Sequence, residues 1–111
     1  MSQCDLNAKH CVPCEGGVPA LDKAQVEKLL AELNDWQVND DFTVIHKTFT
    51  FKGFNKVMGL VNAIAWIANK EMHHPDMEVH YNNVKVCFST HAINGLSEND
   101  FICAAKIDAL F

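Results

Sequence analysis

The sequence predicts an α+β domain: one four-stranded antiparallel sheet with three helices packed on one face, in the order αββαββα. Three observations predict it. Apolar residues recur with a helical period in two stretches, 22–33 and 54–72. They alternate with polar residues in two others, 42–51 and 77–88. A last apolar run follows a helix-start signal at Ser97.

Residues 1–20 lack a periodic apolar pattern and end in the loop-like "EGGVP", so they read as a flexible or loosely docked arm. Residues 21–111 are then one domain. Val26, Leu29, Leu30 and Leu33 fall at i, i+3, i+4 and i+7, and Asp22 with Gln25 resembles a capping box at the start of that helix. "NDW" at 34–36 stops it. Strands are expected at 36–38 and 42–51. In the longer one Ile45, Lys47, Phe49 and Phe51 share a face, and three apolar members against one lysine make it the core side.

Gly53 breaks that strand. Phe54, Val57, Met58, Val61, Ile64, Ala65, Ala68 and Met72 then keep the helical period for about five turns. Pro75 disfavours helical geometry at His74, which puts His73 and His74 at a helix C-terminus. Met77, Val79 and Tyr81, then Val84, Val86 and Phe88, form a hairpin expected to turn at Asn82-Asn83, since Asn tolerates positive φ. Ser97 and Asp100 open the final short helix, which runs to Leu110.

With 111 residues, 49% hydrophobic and 21% charged, the chain has the composition of one globular domain. The net charge of −5 leaves no Lys/Arg surplus to neutralise phosphates, which argues against a sequence-independent nucleic-acid binder. No apolar run is long enough to span a membrane, and no basic start followed by an apolar run marks secretion. The five cysteines, an odd number, therefore read as reduced thiols in a cytoplasmic protein. Cys87 and Cys103 fall in strand and helix patterns, where buried thiols are common.

Four of the six histidines lie between residues 71 and 91, in "EMHHPDMEVHYNNVKVCFSTH". Three readings compete. Adjacent histidines in extended chain point to opposite sides, so His73 and His74 make a poor chelating pair, and no zinc-type spacing completes one. Proton transfer suits them better, because a helix C-terminus favours protonated imidazole and histidine titrates near neutrality. Plain capping or surface roles remain the third reading. His46 and His80 sit on polar strand faces and read as solvated.

The spacing then carries a resemblance. "HHP" at 73–75, five residues to Tyr81, nine more to His91 in "STH", and eight to Asp100 in "GLSEND" resemble the pterin-4a-carbinolamine dehydratases. Trp36, "FTFKGFNKV" at 49–57 and "THAINGLSENDF" at 90–101 agree with it in order, over about residues 21–110. The resemblance implies the fold above, a homodimer or homotetramer, and no metal or organic cofactor. It implies dehydration of the 4a-hydroxytetrahydropterin released by aromatic amino-acid hydroxylases, giving the quinonoid dihydropterin that a reductase returns to the tetrahydro form. It also implies site roles. His73 is expected as general base at N5 and His91 as acid at the hydroxyl, or the reverse. His74 would orient substrate and assist the acid, Asp100 would orient a histidine, and Ser89 and Thr90 would join them in binding substrate.

One position departs from the pattern. An acidic residue that relatives often carry four positions before the first motif histidine is Asn69 here, and Glu71 lies about 160° around the helix from it. Asn62, Trp66, Asn69 and His73 form a stripe off the apolar face, either a subunit-packed edge or a wall of the pterin site. Phe49 and Phe51 are core residues by pattern, with a possible edge at the substrate. Two other function classes stay open: a protein-interaction or regulatory module like the coactivator relatives, and a zinc module built from Cys4, His10, Cys11 and Cys14.

Overall fold

The computed structural model describes residues 3–12 and 19–111, the side chains of residues 3–5 excepted. Its elements, in order, are α1 (Gln3–Ala8), α2 (Lys23–Leu30), β1 (Gln37–Val38), β2 (Ile45–Thr50), α3 (Phe54–Glu71), β3 (Asp76–Val79), β4 (Asn83–Phe88), a 3-10 turn (His91–Ile93) and α4 (Glu98–Asp108). The strands form one antiparallel sheet in the order β1-β2-β4-β3. The fold is α+β as expected, with α1 added ahead of the three expected helices.

Local chemistry explains most boundaries. Asp22 caps α2, its carboxylate accepting Gln25 N–H at 2.8 Å while the Gln25 side chain accepts Asp22 N–H at 2.9 Å. β2 begins at Ile45 rather than Phe42, because Phe42 takes a left-handed φ of 57° in a turn. Asn39 closes that turn by accepting the N–H groups of Thr43 and Val44. The hairpin turns at Tyr81-Asn82, one residue earlier than expected: His80 N–H donates to Asn83 O at 2.8 Å, and no residue of the turn has positive φ. Register decides this, since pairing Val79 with Val84 and Met77 with Val86 puts Met77 beside the buried Val84 and Val86.

One core joins Leu6, Val26, Ile45, Phe49, Ile64, Val84, Val86, Phe88, Phe101 and Ile107. The lysine on the core face of β2 is satisfied there: Lys47 Nζ lies 3.0 Å from Asp108 Oδ1, and the same buried carboxylate accepts Trp36 Nε1–H at 3.1 Å. In α3 the buried side is Val57, Leu60, Ile64 and Ala68, so Leu60 belongs to the stripe and the end residues Phe54 and Met72 do not. α4 is buried nearly all round, packed between α1 and α3.

Where an arm was expected, residues 3–12 are docked. Leu6 is fully buried, Lys106 Nζ donates to Asn7 O at 2.6 Å, and Lys9 pairs with Glu98 at 3.3 Å. Cys14 and the side chain of Cys4 lie outside the described residues.

Candidate active site

The C-terminus of α3 positions the first histidine. Met72 takes a left-handed φ of 55°, and the N–H groups of Met72 and His73 both donate to Ala68 O. The His73 bond is the 6→1 bond of a Schellman motif and the Met72 bond the 5→1 bond of an αL cap, and both satisfy the last carbonyls where a left-handed residue stops the helix. Pro75 keeps the chain extended beyond it. His73 is thereby turned inward, its ring stacked on Phe88 at 5.9 Å and 8°.

Its Nε2 stands 2.6 Å from Asp100 Oδ1, 27 residues on. Asp100 has no exposed surface. The Thr90 hydroxyl donates to its Oδ2 at 2.8 Å and Ser97 N–H donates there at 3.0 Å, while Thr90 Oγ1 and Ser97 Oγ are 2.7 Å apart. Three donors thus hold a buried carboxylate in one orientation. The carboxylate fixes a proton on His73 Nε2, which leaves the lone pair of a neutral ring on Nδ1.

His73 lines a cleft of about 690 Å³ together with His74, Ser89, Thr90 and His91. The volume suits a bicyclic small molecule. His74 and His91 are exposed, and the carboxylate of Asp100 stands behind the wall rather than in it. The structure therefore brings all six expected site residues to one place, five lining the cleft and Asp100 behind His73, with the Thr90 hydroxyl turned back to Asp100. Asn62, Trp66 and Asn69 face solvent outside the cleft, and Phe49 and Phe51 belong to the core and its margin.

The rest of the lining was not legible beforehand. It includes Cys11 and Val12 of the arm, with Glu71 and Asn99. Glu71 is buried; its carboxylate accepts Cys11 N–H at 2.8 Å and meets His10 Nδ1 at 3.0 Å. Burial alone would raise its carboxyl, but the hydrogen bonds from Cys11 and His10 and the charge of Lys106 outweigh that and hold it below its ordinary value. Val12 N–H donates to Asn99 Oδ1 at 3.1 Å, and Asn99 Nδ2 donates to Val12 O at 2.6 Å. Among the described residues no three His, Cys, Asp or Glu side chains are grouped to hold a metal ion.

The family model for pterin 4 alpha carbinolamine dehydratases matches residues 19–110. The chain belongs to that family. By membership it is a dehydratase, an enzyme of the lyase class. A Legionella pneumophila protein provisionally named pterin-4-alpha-carbinolamine dehydratase is 57% identical over 107 residues, 96% of this chain and 95% of its own. A Nitrosomonas europaea protein of the same provisional name is 55% identical over 109 residues, 97% and 95% of the two chains. The crystal structure of a transcriptional coactivator/pterin dehydratase from Brucella melitensis superposes with a TM-score of 0.78 at 34% identity, covering 82% of this chain and 97% of that one. A pterin dehydratase-like protein identified as a RuBisCO assembly factor in the alpha-carboxysome, at 19% identity and a TM-score of 0.60, shares the fold alone.

Proposed function

We propose that the cleft binds a 4a-hydroxytetrahydropterin and that its histidines remove water from it. The observation that carries the reading is the 2.6 Å contact between His73 and buried Asp100 at the wall of a cleft that also presents His74 and His91. His73 Nδ1 takes the N5 proton. The N5–H electron pair becomes the N5=C4a bond as the C4a–O bond breaks, and the departing hydroxyl takes a proton from His91 to leave as water. The product is the quinonoid dihydropterin. Asp100 compensates the positive charge that His73 acquires and keeps its ring in place. Thr90 and Ser97 hold Asp100, so both act through His73 rather than on the substrate. His74 and Ser89 remain to contact the bound pterin. The exchange of roles between His73 and His91 is disfavoured, because among the described residues it is His73 that has a carboxylate behind it.

The reaction draws on no metal or organic cofactor. It places the protein downstream of an aromatic amino-acid hydroxylase in tetrahydropterin recycling, in the cytoplasm. Self-association into a homodimer or homotetramer is what the family resemblance implies.

The test is a stopped-flow measurement of carbinolamine decay, with hydroxylase-generated substrate. General acid–base groups contribute about 10²–10⁴-fold, so His73→Ala and His91→Ala should each lose enzymatic acceleration on that scale with the fold intact. Wild-type rates from both folded variants would refute the assignment.

A further inference from the structure

We propose that Cys11 and Cys103 form a reversible disulfide that locks the N-terminal arm onto α4, with a hydroperoxide as the oxidant. The two sulfurs stand 3.5 Å apart although the residues are 92 positions apart in sequence. The pair is held in place from both sides. On the arm, Cys11 N–H is bonded to Glu71, and Val12 exchanges two hydrogen bonds with the Asn99 side chain. On α4, Cys103 is fully buried. Each sulfur also rests on a carbonyl at the cleft wall, Cys11 Sγ 3.6 Å from Asn99 O and Cys103 Sγ 4.0 Å from His73 O. Closing the sulfurs to a bond length of about 2.05 Å is a movement of roughly 1.5 Å, within the reach of side-chain rotation and a small shift of the arm. Cys87 does not compete, because it alternates with the core-facing residues of β4 and so lies on the opposite face of the sheet.

Access and chemistry assign the order of events. Cys11 lines the cleft and meets solvent, whereas Cys103 is sealed beneath it. Cys103 is also the poorer nucleophile in the resting state, its thiol pushed up by the hydrogen bond to Cys11 and by burial. The Cys11 sulfur therefore attacks the peroxide: an S–O bond forms, the O–O bond breaks and, for hydrogen peroxide, one water leaves (an alcohol for an organic hydroperoxide), giving a sulfenic acid. The Cys103 sulfur then attacks the Cys11 sulfur. Its proton and the sulfenic hydroxyl depart as a second water, and the S–S bond remains. Two thiols have lost two electrons and the peroxide has gained them. The inference goes beyond the catalytic reading and does not depend on it, since neither sulfur has a part in the dehydration.

Peptide mapping decides it. The full-length protein is treated with hydrogen peroxide, its remaining thiols are blocked, and it is digested without reductant. The expected result is a Cys11–Cys103 cross-linked peptide, lighter by about 2 Da than the two reduced peptides together, which a dithiol reverses. The link should persist in Cys14→Ser and be absent from Cys11→Ser, and the oxidised protein should unfold at higher urea than the reduced one. A link from Cys11 to Cys14 or Cys4, a link between two chains, or a Cys103 still open to the blocking reagent after unfolding would each overturn the proposal.

Discussion

Asp100 shows how one residue serves two structures at once. Its backbone opens α4, where Asp100 N–H donates to Ser97 O, and its side chain spends every oxygen on a neighbour: His73 on one, Thr90 and Ser97 on the other. Removing a donor from a buried carboxylate costs about 1–3 kcal/mol, so Thr90→Val, which preserves shape, should lower the urea-unfolding stability by that amount. Asp100→Asn keeps the volume but loses the charge and can present an amide N–H to His73. We expect at least about a tenfold fall in kcat with KM nearly unchanged, because the carboxylate does not face the cleft. Steady-state kinetics of the two variants checks this. A rise in KM with kcat intact would show that Asp100 touches substrate directly.

At the scale of elements, legibility followed range. The α2 cap and the core face of β2 were readable because each is written within a few neighbouring residues. The turn at Tyr81-Asn82 and the burial of Leu60 were misplaced by one or two positions, since cross-strand registry and helix packing settle them. The docking of α1 left almost no trace. Among the described residues Leu6 anchors it, fully buried, and the polar partners lie 60 or more positions away: Lys106 meets Asn7 of the helix, and Glu71 and Asn99 meet Cys11 and Val12 just beyond it. Likewise the approach of His73 to Asp100 spans 27 residues, and residue types alone left three readings of the histidines open, so only the spacing shared with the family pointed to one of them.

Glu71 makes that docking sensitive to acid. Its carboxyl is held below the ordinary value of 4.5 in the folded protein, so the unfolded chain binds the proton more readily. The stability that Glu71 contributes is then fully present above about pH 4.5 and is lost as pH falls through the lowered folded value. Glu71→Gln removes this dependence. The gap in urea midpoint between wild type and Glu71→Gln should hold from pH 7 to about 5 and shrink in more acid solution. A gap that is constant to pH 3 would mean that the ion pair contributes nothing to the fold.

For the whole molecule, the arm is where family pattern and packing part company. The family model begins at residue 19, yet the alignment with the Legionella relative extends over 96% of the chain and so takes in most of the arm. The sheet, α3 and α4 carry most of the core and hold the His73–Asp100 pair, to which residues 3–12 add Leu6, whereas one wall of the cleft depends on Cys11 and Val12. Deleting residues 1–12 should therefore separate stability and binding from chemistry. Loss of Leu6 burial, with Glu71 left buried without its arm partners, should lower stability by about 2–4 kcal/mol. The open cleft should hold substrate less well and raise KM, while kcat stays within about twofold because the proton-transferring groups keep their places. Urea titration and steady-state kinetics on the shortened protein measure both. If kcat collapsed while the domain remained folded, the arm would have to be counted with the machinery that acts on the pterin rather than with the wall that encloses it.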